Sequence, residues 1–357
     1  MRLYLALSCL LLVVESEIHI FESKTTEIPA QRGTRIYFLT NGNEDDLRDI
    51  TIKAEKSHID TNVSKYSVPQ VDGSLNPLTI TADNDTVVIT RPVGNTTPVT
   101  VYQDRVTDSL NVFPVFSNSA IQFKSGKNVF FAVDKPNGKI LTIKNLKVDR
   151  QNNGFLRAYS GVPGDLIPPP YLFFSSDLYD DVNFYQQLDI PLSDFSLDVV
   201  FSGVSYTVSF GEATTTLQSA GLVMSPGFPT TMQPSDVSYT VRRTGDELIS
   251  LHMNPYFYRE QSYITDINVK FGFGVEQGNS FPSELNGRLS ASGAINSVEV
   301  KSIGAFAIQY YTNSTATSGT VPVEIGTTPS VQTTTKSSYL KQASLSFLTL
   351  FASLLLR

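Results

Sequence analysis

Between residues 18 and 312 apolar positions recur at every second residue in short runs, and almost nowhere at helical spacing. Gly, Pro, Asn and Asp cut these runs at the intervals expected of an all-β chain. The runs themselves repeat. Early in each third a glycine turn leads into a strand: Gly33 before Ile36-Tyr37-Phe38-Leu39, Gly138 before Ile140-Leu141-Thr142-Ile143, and Gly245 before Leu248-Ile249-Ser250-Leu251. The glycines are 105 and 107 residues apart. A second strand follows each time, Asp49 to Ala54, Gly154 to Tyr159 and Asp266 to Phe271, the first and third being nearly the same string. Two strands close each third: Thr86 to Ile89 with Val99 to Tyr102, Leu197 to Phe201 with Ser205 to Phe210, and Ser297 to Val300 with Ala305 to Tyr310. Any β-rich chain yields such strands; their common order and spacing point to an internal repeat. A unit of roughly 100 residues with short antiparallel strands fits a β-sandwich. The expected fold is therefore all-β, three tandem antiparallel sandwiches over residues 18–107, 108–212 and 213–312.

The ends of the chain change the picture. Arg2 followed by the apolar run Leu3 to Val14 reads as a secretory signal, residues 1–17, too short to span a membrane. Residues 313–337 shift to Thr, Ser, Gly and Pro without periodicity and read as an O-glycosylated stalk. Residues 338–357 contain a second apolar run, Ala343 to Leu356. A short hydrophobic tail behind small residues and a polar spacer is what a GPI-attachment signal requires, with Ser337 as the expected attachment residue. The expected location is the cell surface, by lipid anchor, or the secreted fraction. Four sequons, at Asn62, Asn84, Asn95 and Asn313, lie where the pattern places turns or strand ends. The only cysteine, Cys9, falls in the signal, so sheets and cores rather than disulfides must hold the mature chain.

The most specific stretch runs from Gly221 to Val241. Its Pro226-Gly227 turn feeds an alternating strand whose Val237, Tyr239 and Val241 share a face. The string G-L-V-M-S-P-G-F-P from Gly221, then Tyr239 and Val241, the Gly245 turn, Leu248 to Leu251 and the closing Gly304-Ala305-Phe306-Ala307-Ile308-Gln309-Tyr310 resemble a CUB domain. The resemblance covers residues 217–312 well, residues 120–210 weakly, and residues 20–105 only through the repeat. The whole layout is similar to nematode secreted CUB-like proteins, which implies an extracellular, often infection-responsive role. Departures limit what it implies. The family's cysteines are missing, with Val237 near one such position, and Tyr239 stands where the family has tryptophan. Asp266 is one position off the family's calcium set and Lys301-Ser302-Ile303 supplies no third carboxylate, so no calcium site carries over.

Charge and candidate chemistry narrow the function. A formal net charge of -7 leaves no basic footprint for nucleic acid. His19, His58 and His252 are not at metal-ligand spacing, and no nucleophile elbow or phosphate loop is present. The cluster Asp177, Asp180 and Asp181 with Tyr179 and Tyr185 offers a cation or polar ligand face, against the simpler reading of a solvated loop. No catalytic residue, metal or cofactor is expected, and the chain is not read as an enzyme. The expected function is extracellular recognition of a glycan or protein ligand, with membrane contact through the lipid anchor. Candidate contact segments are Gly161 to Tyr171, with its Pro168-Pro169-Pro170 run, and the tyrosine-rich Asn254 to Tyr263. The alternatives are a structural coat glycoprotein without a specific ligand and a hydrolase hidden on a sandwich scaffold.

Overall fold

The computed structural model describes residues 16–315 and 325–328, except 22–23, 106–109, 117–120, 123–124, 134–138, 149–152, 163–170, 179–181, 183, 201–203, 213, 227, 229–232, 243–246, 258–262, 273–275 and 280–287. The described part is nearly all β. Its two helices, α1 (Glu44–Arg48) and α2 (Ser64–Ser67), are single turns. Among the described residues no helix is long and apolar enough to cross a membrane.

The first unit holds β1 (Ser16–Phe21), β2 (Thr25–Ala30), β3 (Arg35–Leu39), β4 (Thr51–Ala54), β5 (Ile59–Asn62), β6 (Leu78–Thr79), β7 (Asp85–Thr90) and β8 (Val99–Asp104). One sheet runs β1-β8-β3-β6 and the facing sheet β2-β7-β4-β5. The second unit follows β9 (Leu110–Val115) with β10 (Ile121–Gln122), β11 (Gly126–Ala132), β12 (Lys139–Val148), β13 (Phe155–Ser160), β14 (Tyr171–Ser175), β15 (Phe184–Ile190), β16 (Asp194–Val200) and β17 (Val204–Glu212). The third follows β18 (Thr216–Leu217) with β19 (Ala220–Met224), β20 (Ser235–Val241), β21 (Leu248–Phe257), β22 (Tyr263–Phe271), β23 (Glu276–Asn279), β24 (Arg288–Gly293), β25 (Ile295–Ile303) and β26 (Phe306–Thr315). The sheets β10-β17-β12-β15 and β19-β26-β21-β24 repeat the order of the first sheet, and β11-β16-β13-β14 and β20-β25-β22-β23 repeat that of the second. The connecting strands are also equivalent: β9 pairs parallel with β11, and β18 parallel with β20.

Local chemistry explains the landmarks. Gly33 has φ +86, a conformation that side chains disfavour, and its N–H donates to Ile80 O at 2.8 Å, turning the chain into β3. Gly138 and Gly245, expected to make equivalent turns, and Gly227 of the Pro226-Gly227 turn lie outside the described residues. In β20 the pattern is alternating, with Val237 and Tyr239 packed on the core and Asp236, Ser238 and Thr240 exposed.

The units do not hang as separate beads. At the first junction Tyr37, Leu39 and Tyr102 on the outside of the first sheet pack against Leu110, Val112, Val129 and Phe131 from β9 and β11. Tyr102 stacks on Tyr37 (ring centroids 5.9 Å) and tilts against Phe131 at 5.3 Å across the junction. At the second junction the core is continuous. Leu188, Ile190, Phe173 and Phe174 of the second unit share one cluster with Ala220, Leu222, Met224, Phe228, Ala305, Ala307 and Tyr311 of the third. The strand β19 is buried along its whole length, since Leu222 faces the second unit while Val223 faces the third unit's own core. This two-sided burial is why Ala220 to Met224 reads as an unbroken apolar run.

Strands run into both end segments. The ladder of β1 starts at Ser16, opposite Asp104, so the strand includes the last two residues of the segment read as a signal. Within residues 313–337, read as an O-glycosylated stalk, β26 continues to Thr315, and β27 (Ile325–Thr328) pairs antiparallel with β24. Cys9, Ser337 and the apolar run from Ala343 lie outside the described residues.

Candidate functional site

The second junction leaves a half-enclosed cleft of about 180 Å³. Its floor is the outer face of the second unit's sheet, where Ile140, Gln187 and Asp189 lie beside one another on β12 and β15. The linker supplies Thr214, Thr216, Leu217 and Gln218, and the third unit supplies Val237, Tyr239 and Tyr310. Parallel pairing of β18 with β20, and the Thr240 N–H donating to Thr215 O at 2.8 Å, hold the linker over the floor.

Among the described residues, Asp189 is the only carboxylate on this lining. It sits between Leu188 and Ile190, which are buried on the opposite face. Its Oδ1 accepts from Gln187 Nε2 at 2.7 Å and from Thr142 Oγ1 at 3.1 Å. Burial pushes the Asp189 carboxyl above its ordinary value, against the opposing effect of those bonds, the Thr214 N–H and nearby Lys144. Burial also raises Tyr239, and the Asp189 charge adds to the effect, with no hydrogen bond among the described residues to offset it. Tyr310 is raised by burial as well, although its hydroxyl accepts from the Gln218 N–H at 3.0 Å.

Two close contacts build this arrangement. A Cβ on Gly221 would stand 2.8 Å from Gln187 O and 2.8 Å from the Tyr310 hydroxyl, so β19 reaches β15 only because residue 221 has no side chain. Gln309, fully buried on β26, crosses into the second unit: its Nε2 donates to Ser175 O at 2.8 Å and Tyr185 Oη at 2.9 Å, and its Oε1 accepts from the Ser175 N–H at 3.1 Å. One side-chain amide thus stands in for a rung of sheet.

The residues expected to form sites are placed elsewhere. Asn84 is exposed in a turn at φ 52, and Asn313 is exposed on β26 opposite Ser250. Asn62 ends β5, with Ser64 Oγ donating to its Oδ1 at 2.7 Å. Asn95 is tied on both sides: its Nδ2 donates to Asp46 O at 2.8 Å, and its Oδ1 accepts from the Thr97 N–H at 3.0 Å. Of the acidic cluster, Asp177 pairs with Arg157 at 3.0 Å. Tyr185 is not on a ligand face but fully buried, held there by Gln309. Asp180, Asp181, Tyr179, residues 163–170 and most of the tyrosine-rich segment after Asn254 lie outside the described residues; Val162 and Asn254 are buried. His252 stacks on Tyr311 at 4.4 Å, and its Nδ1 is 2.9 Å from Ser290 Oγ. Among the described residues no three His, Cys, Asp or Glu side chains come together as metal ligands.

No family model and no curated protein sequence matches the chain. Among solved structures it is similar to the CUB1-EGF-CUB2 domains of rat MASP-1, at 11% identity over 57% of this chain and 100% of that one, with a TM-score of 0.19. A second similarity is to a chain of the lipid-containing bacteriophage PM2, at 8% identity over 82% of this chain and 87% of that one, with a TM-score of 0.12. Neither superposition is close enough to bear on function.

Proposed function

We propose that the chain is an extracellular recognition protein, three CUB-like sandwiches displayed at the cell surface on a lipid anchor, which binds a glycan or protein ligand. The observation that carries this reading is the cleft around Asp189, Tyr239 and Tyr310. It lies where two units share a core, so its walls are held rigidly, and it gathers a half-buried carboxylate, amides and aromatic hydroxyls. A desolvated carboxylate is costly to keep, which favours a binding role over a structural one. The signal-like first residues, the four sequons and the apolar tail supply the location, and the resemblance to nematode CUB-like proteins adds a role in the response to infection.

The test has two arms. Phosphatidylinositol-specific phospholipase is expected to release the protein from cells; retention with an intact C-terminus would remove the anchor. A panel of glycans and ectodomains is expected to contain a saturable ligand for the full chain; a panel without one would favour the structural coat reading.

A further inference from the structure

We infer that the cleft between the second and third units takes one neutral sugar residue of a glycan, its hydroxyls bound by Asp189, Gln187 and Tyr239. This rests on the recognition reading above and names the ligand class of its site.

The lining decides between ligand chemistries. It offers one carboxylate, the side-chain amides of Gln187 and Gln218, the Tyr239 and Tyr310 rings, threonines and the apolar side chains of Leu217 and Val237. Among the described lining residues there is no Lys or Arg, and Lys144, which acts on Asp189, is solvent-exposed outside the lining. An anionic sugar would therefore meet the Asp189 charge at close range against only that screened counter-charge. A polyol suits the same set. A carboxylate has about four acceptor sites, and three hydrogen bonds already reach Asp189, from Thr142, Gln187 and the Thr214 N–H, leaving capacity for a ligand hydroxyl. The Tyr239 hydroxyl, unbonded among the described residues, can donate to a second. The apolar edge of a sugar ring would then lie against Val237 and the tyrosine rings. At about 180 Å³ the space is below the roughly 300 Å³ at which drug-sized pockets begin, so it fits one ring rather than an oligosaccharide.

The site also explains a fold-level oddity. Aspartate is depleted in strands, yet Asp189 occupies the middle of a buried pair, Leu188 and Ile190, and is bonded from three directions into one orientation. Thr142, fully buried, in turn sits against Gly211, where a Cβ would come within 2.4 Å of its Oγ1. The carboxylate is positioned by neighbours that are themselves fixed.

The experiment measures binding of the full chain, purified in detergent, to an array of neutral, amino and anionic glycans and to an ectodomain panel. Asp189→Asn, Tyr239→Phe and, as a control on the exposed face of β20, Ser238→Ala are compared with wild type, and each variant's urea midpoint reports its folding. The expected result is a neutral-glycan ligand whose affinity falls at least about tenfold in Asp189→Asn and about threefold in Tyr239→Phe, with Ser238→Ala unchanged. If Asp189→Asn does not fold, Tyr239→Phe, which keeps the ring, decides alone. Neutral-glycan binding unaffected by the cleft variants would overturn the assignment of this cleft. Binding confined to amines, anionic glycans or a protein would overturn the ligand class while leaving the recognition reading in place. A chain that binds nothing on either panel would overturn both.

Discussion

At the residue scale, single positions carry the second junction. Gly221→Ala places a methyl group against a backbone carbonyl that cannot rotate away, and overpacking of this kind costs about 1–3 kcal/mol. The expected outcome is a lower urea midpoint with an unchanged slope, whereas wild-type stability would show that β19 and β15 can part freely. Asp85 and Asp189 respond to pH with opposite signs. Burial disfavours charge on Asp85, but hydrogen bonds from the hydroxyl and N–H of Ser57 and the N–H groups of Thr86 and Lys56 outweigh it and hold its carboxyl below the ordinary value. A depressed group stabilises the fold above its unfolded value, near ~3.9, and loses that contribution as pH falls through the folded one. The raised Asp189 works the other way: its contribution is full below ~3.9 and is lost as pH rises through its folded value. Denaturation midpoints across pH should therefore show Asp85→Asn flattening the acid limb, and Asp189→Asn gaining on wild type as pH rises. The opposite trends would contradict the two environments. Among the sequons, Asn84 and Asn313 are exposed, and the bond from Gln31 Nε2 reaches Asn84 at Oδ1 rather than at the glycan-bearing Nδ2, while a glycan on Asn95 would break its Nδ2 bond to Asp46 O. Peptide mapping is expected to find the first two occupied and Asn95 bare.

At the scale of elements, much of the fold was legible and the site was not. Alternation revealed β7, β20 and β25 because each buries mainly one face, so that polar and apolar residues segregate, whereas β3 and β8 are buried on both faces and read as strands from their continuous apolar and aromatic runs. The string Gly304 to Tyr310 was readable as a strand, but the reason for its small residues was not. Ala305 and Ala307 face the second unit and Phe306 and Ile308 the third unit's own core, a division that only the junction defines. The cleft escaped because its members are far apart in sequence and each looks ordinary alone. Asp189 reads as one polar position in F-Y-Q-Q-L-D-I, and Tyr239 as one face of a strand. One available signal was an aspartate between two residues of a buried face. Gln309, in the middle of an apolar strand, was a second, since a central buried amide needs partners for every donor and acceptor. Replacing it by leucine leaves the Ser175 N–H and C=O unpaired, at about 1–3 kcal/mol for each buried group.

At the scale of the molecule, three copies of one eight-strand plan are joined by apolar contacts that disulfides do not assist. Loss of a disulfide costs a small secreted domain about 2–5 kcal/mol. Here the faces that neighbouring units cover supply burial that each sandwich would lack alone, most completely between the second and third units. The cleft depends on that union, since its floor and walls come from different units. Native-state hydrogen exchange of the full chain, read by mass spectrometry, tests this most directly. Core amides of β12 to β17 and of β19 to β26 are expected to exchange through one opening event with a common free energy, which Gln309→Leu lowers equally in both. Two distinct free energies, with the substitution felt in the third unit alone, would show that the units fold separately and that the cleft has no fixed walls.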